Sequence, residues 1–156
     1  MNANIIKIAK LKPNAVLPSR KHPLDAGMDF YACEGIVILP HEGGIVHTGI
    51  TIEIPPGWVG LMKPKSKSDF LIGAGVIDAG YQGEIMIKVI NPLNDELVIG
   101  LGDAVGQMVL LPVLTPEVIE VDIHVIHGVE SPRGESGGIV SQDRAIIKNG
   151  IDTPGN

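Results

Sequence analysis

The most regular alternation in the chain runs over 46–54, where Ile50, Ile52 and Ile54 share one face and Thr51 and Glu53 the other. A period of two marks a half-buried strand. The rhythm recurs after Glu84, where Ile85, Ile87 and Val89 alternate with Met86, Lys88 and Ile90. It returns over 118–126, where Ile119, Val121, Ile123 and Val125 alternate with Glu120, Asp122 and His124. Shorter apolar runs predict strands at 5–11, 28–31, 36–39, 58–62 and 105–111. Between them lie a loop over 14–27 with Pro18, Pro23 and Gly27, turns at 40–44 and 92–96, and a tight reversal at Pro55-Pro56-Gly57. Pro112 and Pro116 interrupt the one long apolar stretch, and no segment holds a three-to-four spacing, so helix has little room. Regularly spaced short strands without helices predict an all-β sandwich, jelly roll or barrel.

Composition sharpens this. Hydrophobic residues make up 44% of the 156 but aromatics only 3%, so the core is expected from Ile, Val and Leu. Twenty glycines and 12 prolines punctuate the strands. A chain of this length forms one domain that buries roughly two thirds of its unfolded surface. The single cysteine, Cys33, excludes an internal disulfide and a cysteine metal cage, and it follows an apolar strand, where a small buried hydrophobe is expected. No apolar run reaches membrane-spanning length and the first residues lack a signal-peptide profile, so a cytoplasmic address without membrane partners is expected. A net charge of −6 disfavours nucleic acid as a partner. Locally the sign reverses, because Lys63, Lys65 and Lys67 fall within five residues and suit a compact polyanion.

The stretch 73–91 concentrates the candidate chemistry. Gly73, Gly75, Gly80 and Gly83 surround Asp78 and Tyr81, and glycines let a ligand approach the backbone closely. A β-hairpin with Asp78 near its bend is the simplest picture. The pattern leaves open whether its glycines form a pocket or only a turn with a hydrogen-bonded Asp. The five histidines are scattered, and His124 and His127 would face opposite sides of a strand, so surface roles fit them better than metal ligation. Lys65-Ser66 lacks the preceding glycine-rich loop of a nucleotide-binding P-loop, and no nucleophile elbow occurs. What remains is a polar set between strands: Asp29, Lys65, Ser66, Asp78, Gln107 and Arg133. Cations and a hydroxyl would hold phosphates with magnesium while a carboxylate orients water.

Taken in order, these segments resemble the five motifs of the trimeric dUTPase (dUTP diphosphatase) family. Asp25-Ala-Gly-Met-Asp-Phe-Tyr-Ala32 is similar to the first and Pro64-Lys-Ser66 partly matches the second. Gly75-Val-Ile-Asp-Ala-Gly-Tyr-Gln-Gly-Glu-Ile85 closely matches the third, Gly102-Asp-Ala-Val-Gly-Gln107 fits the fourth, and Arg133-Gly-Glu-Ser-Gly137 begins the fifth. The resemblance implies a jelly-roll-like β-barrel over 1–127 and a flexible C-terminal arm over 128–156, assembled as a homotrimer with shared active sites. It implies Mg2+-assisted hydrolysis of dUTP to dUMP and pyrophosphate. Asp78 would orient the water that attacks the α-phosphorus, and Tyr81 would pack under the deoxyribose. Backbone near Gly75, Val76, Ile77 and Met86 would read uracil. Lys65, Ser66, Lys67 and Gln107 would lie against phosphates, Asp29 would hold the metal through water, and Arg133 would reach a neighbouring subunit's site from the arm.

The chain departs from the family pattern in three places. Lys65 and Lys67 stand where the second motif has arginine and glycine, which keeps charge but loses the bidentate fork. Ser66 precedes Asp78 by only 12 positions, several fewer than is usual. Ile139 stands where the arm usually offers a phenylalanine, so it can cover a base but not stack on it. These departures keep open a dUTPase-like nucleotide-binding regulator with weak or no turnover, and the shared barrel keeps open a relative of the dCTP deaminases.

Overall fold

The computed structural model describes residues 5–126. Its strands are β1 (Lys7–Lys10), β2 (Gly27–Tyr31), β3 (Ile36–Ile38), β4 (Gly43–His47), β5 (Ile50–Glu53) and β6 (Trp58–Lys63). They continue with β7 (Leu71–Ile72), β8 (Gly75–Ile77), β9 (Met86–Ile90), β10 (Leu97–Ile99) and β11 (Ala104–Pro112). Every ladder is antiparallel, and the sheet orders are β2-β11-β6-β8, β4-β9-β7, β1-β5 and β3-β10. This is the jelly-roll-like all-β architecture the strand pattern predicts, with four separate sheets and no single closed ring of ladders among the described residues.

The compact unit spans Met1–Thr115, and a second unit begins at Pro116. The boundary expected at 127/128, and the arm beyond it, lie outside the described residues. No helix of the described residues is long and apolar enough to cross a membrane.

Phe30, Ile50, Ile54, Ile87, Val89, Val105 and Met108 are fully buried. The expectation of leucine in the core needs correction. No leucine among the described residues is buried, whereas Met28, Met62 and Met108 are. The reason lies in the facing glycines. A Cβ on Gly60 would come within 2.9 Å of the Met108 sulfur, and one on Gly106 within 3.1 Å of the Met62 sulfur. Flexible thioethers fill the space that the missing side chains leave.

Three further expectations change. The alternating run 46–54 is two strands, not one. Gly49 sits between them at φ 65°, where a Cβ would also press to 2.9 Å from the Ala15 Cβ. β4 therefore pairs with β9 while β5 pairs with β1. The period survives the break, because Val46, Thr48, Ile50, Ile52 and Ile54 are all buried. Secondly, the arms of the expected hairpin do not pair with each other, since β8 joins β6 and β9 joins β4 and β7. Thirdly, 118–126 contains no strand. Val118 is 93% exposed, and a helical turn, α1 (Ile123–Ile126), closes the segment. Asp122 accepts the His124 N–H through its carboxylate and the Val125 N–H through its carbonyl, both at 2.9 Å. Such local bonds compete with a ladder when no partner edge is offered.

Candidate active site

The β2-β11-β6-β8 sheet sorts its side chains by row. Met28, Met108 and Met62 stand in register and point into the core, so the next row, Asp29, Gln107 and Lys63, points outward. Two of the polar residues grouped between strands lie on the predicted strands themselves: Asp29 on β2 and Gln107 on β11. Their juxtaposition follows from register, which a single strand's pattern does not encode.

Around this row lies a cavity of about 540 Å³ whose lining includes Lys21, Asp29, Lys63, Lys65, Ser66 and Gln107. Gln107 Nε2 donates to the Pro64 carbonyl at 3.0 Å and so fastens the loop bearing Lys65 and Ser66 to β11. Only a glycine at 27 allows this, since a Cβ there would fall 2.1 Å from Gln107 Oε1. Lys65 Nζ is paired with Asp29 Oδ2. Lys67 is set apart from Ser66 and Gln107, in a cavity of about 300 Å³ shared with Lys65, Phe70 and Leu97. No group of three or more His, Cys, Asp or Glu among the described residues could hold a metal. The donor set here, Asp29 with Asp25 nearby, suits a hydrated cation riding on phosphates and not a protein cage.

The second half of the site lies between β8 and β9. Among the described residues β8 is laddered on one edge only, and the second edge of β9 is taken by β7 only at Val89 and Ile90. The gap is a cavity of about 410 Å³ lined by Gly75, Val76, Ile77, Tyr81, Glu84 and Met86 among others. Gly73 N–H bonds the Lys88 carbonyl at 3.4 Å, so Lys88 directs its main chain toward this edge. Met86, two residues earlier, directs its N–H and C=O the same way, into the gap. A site lined by unladdered backbone can read a planar hydrogen-bonding edge such as a base.

Asp78 follows the last residue of β8 and is exposed. Its carbonyl accepts the Tyr81 N–H at 3.0 Å, closing a turn. Tyr81 folds back over Gly83, where a Cβ would lie 2.6 Å from the phenol oxygen, and the hydroxyl donates to the Glu84 carbonyl at 2.7 Å. The slot and the cavity around Asp29 and Gln107 have no lining residue in common. Arg133 and Ile139 lie outside the described residues.

Sequence reasoning missed His47 and Glu84. Glu84 Oε2 is 3.0 Å from His47 Nδ1, and Oε1 accepts the Gly49 N–H at 2.7 Å. Partial burial pushes the Glu84 carboxyl up, but the His47 and Gly49 hydrogen bonds, with the charges of His47 and Lys12, outweigh it and hold it below the ordinary value. No sequence signal joins residues 37 apart; only the β4–β9 ladder brings them together.

The dUTPase family profile matches residues 13–137. The deoxyuridine 5'-triphosphate nucleotidohydrolase of Mycolicibacterium gilvum is 36% identical over 140 residues, covering 85% of this chain and 91% of that protein. The enzyme of the same name from Mycobacterium leprae is also 36% identical, over 141 residues, with the same coverage. Among solved structures, a Staphylococcus bacteriophage 80alpha dUTPase with dUpNHpp superposes with a TM-score of 0.76 at 29% identity, covering 88% of this chain and 98% of that one. A dUTPase from phage phi11 of S. aureus, described with a structural Mg(II) ion, gives 0.72 at 30% identity, covering 76% and 97%. On sequence and fold together, the chain belongs to the dUTPase family.

Proposed function

We propose that this protein hydrolyses dUTP to dUMP and pyrophosphate, with Asp78 orienting the water that attacks the α-phosphorus. The observation that carries the reading is the slot between the open edges of β8 and β9, with Tyr81 beside it and Asp78 directly after its last β8 residue. Backbone of Gly75, Val76, Ile77 and Met86 reads uracil. A cytosine amino group would set a donor against a donor, and sites of this kind discriminate by factors on the order of 10⁴. A 5-methyl group meets the slot wall, which disfavours dTTP. Tyr81 packs under the deoxyribose and leaves no space for a 2′-hydroxyl, which disfavours UTP.

Lys65, Ser66 and Gln107 hold the phosphates. Lys67 and, from the C-terminal arm, Arg133 add charge, and Ile139 covers the base. A magnesium ion carried on the triphosphate and held through water by Asp29 would neutralise charge on the departing pyrophosphate. In a homotrimer neighbouring copies would complete each site, with a barrel domain over 1–127 and the arm over 128–156.

A panel of dUTP, dCTP, dTTP and UTP with magnesium, followed for pyrophosphate and ammonia, tests this reading. Pyrophosphate from dUTP alone supports it. Ammonia from dCTP would assign a deaminase, and tight dUTP binding without turnover would assign a nucleotide-binding regulator.

A further inference from the structure

Glu84 joins two parts of the molecule that the proposed chemistry needs in register. Its carboxylate grips the β4–β5 corner, through His47 Nδ1 at 3.0 Å and the Gly49 N–H at 2.7 Å. Its carbonyl receives the Tyr81 hydroxyl at 2.7 Å. The side chain is only 18% exposed and Gly49 is buried, so water competes poorly for these bonds. Three further ties run alongside. Thr51 Oγ1 donates to the Gln82 carbonyl at 3.1 Å, Thr48 Oγ1 to that of Ile85 at 2.6 Å, and Ile85 N–H to that of Ile50 at 2.8 Å. These fix the backbone on either side of Gly83, but the tie that leads directly to the phenol runs through Glu84.

We propose that Glu84, clamped by His47 and Gly49, is a positioning residue that sets the height of the Tyr81 ring and thereby the sugar selectivity of the slot. The proposal rests on the reading of Tyr81 as the floor under the deoxyribose. A ring displaced by a fraction of an ångström makes room for a hydroxyl, and misplacements of this kind change rates on the order of tenfold or more. The other titratable group acting on Glu84 is Lys12, which is itself held by Glu34 at 3.2 Å; the buried Cys33 thiol in turn feels the Glu84 charge.

The test compares kcat/KM for dUTP and UTP in the wild type, Glu84→Ala, Glu84→Gln and Tyr81→Ala. Glu84→Ala should lower the dUTP/UTP ratio about tenfold, mainly through KM. Glu84→Gln should restore most of the ratio, because its amide oxygen still accepts the Gly49 N–H. A merely structural role would lower kcat/KM for both nucleotides together and leave the ratio unchanged. An unchanged ratio in Glu84→Ala, with Tyr81→Ala lowering it, overturns the clamp and leaves the Tyr81 reading standing. An unchanged ratio in Tyr81→Ala overturns both. Should Glu84→Ala not fold, His47→Ala, which removes one of the two grips, decides, and an unchanged ratio there overturns the clamp.

Discussion

Lys65 is paired with Asp29: the ammonium proposed to grip phosphate is neutralised, in the free protein, by the carboxylate proposed to face the metal. The side chains are 31% and 20% exposed and sit beside Gln107 in one cavity. A triphosphate with its cation can satisfy both partners at once, so binding exchanges one ion pair for two. Lysine suits such an exchange, since its single charge rotates freely where an arginine fork would hold its first partner. Removing the ammonium leaves Asp29 to repel the incoming phosphates. Lys65→Ala should therefore raise KM for dUTP about 10- to 100-fold with a smaller change in kcat, as read from steady-state pyrophosphate release.

Gly27 supports the same cavity from below. Its missing Cβ is the space that Gln107 Oε1 occupies, and Gln107 in turn holds the Pro64 carbonyl. Gly27→Ala should displace Gln107, cost about 1–3 kcal/mol in urea denaturation and raise KM for dUTP. Val at this position should be worse on both counts.

Asn91 carries no chemistry but closes the end of β9. It is fully buried, and its amide nitrogen faces the carbonyls of Ile38, Leu39 and Asp95 at 3.0, 3.1 and 2.8 Å. Its oxygen accepts the Leu93 N–H at 2.9 Å. Asn91→Leu keeps the volume and strands these groups, so it should destabilise the fold by about 3 kcal/mol, measured by urea titration.

The lowered Glu84 carboxyl makes a stability prediction with a definite sign. A carboxyl's ordinary value is 4.5, and the folded protein holds Glu84 below it. The unfolded chain therefore takes up this proton first as pH falls. The stabilisation is fully present above about pH 4.5 and is lost as pH drops through the folded value. Thermal melts should show the wild type losing its advantage over Glu84→Gln as the pH falls below about 4.5.

Strand positions were legible for the longer runs, whereas β7 and β10, of two and three residues, are too short to show an alternation. The runs at 28–31, 36–39, 58–62 and 105–111 appear as β2, β3, β6 and β11 within a residue or two. Pairing was not legible. The run 46–54 keeps its period across Gly49, so nothing in the pattern marks the change of ladder partner. In 118–126 the pattern is as clean as anywhere, yet a strand needs a neighbouring edge, and this segment finds none among the described residues. The stretch that lines the slot stood out because glycines, Asp78 and Tyr81 are contiguous, but the pattern did not separate a pocket from a turn. Its clamp through His47, and the row of Asp29, Gln107 and Lys63, depend on register between strands far apart in the chain.

The central claim is that Asp78, exposed directly after β8, orients the attacking water while the neighbouring slot binds the nucleotide. Asp78→Asn preserves shape and removes the charge, so it separates binding from chemistry. The decisive measurement pairs a dUTP binding isotherm with single-turnover pyrophosphate release for this variant and the wild type. The account predicts a dUTP affinity within a few-fold of wild type and a hydrolysis rate lower by about 10³-fold. Hydrolysis retained within about tenfold of wild type would contradict it.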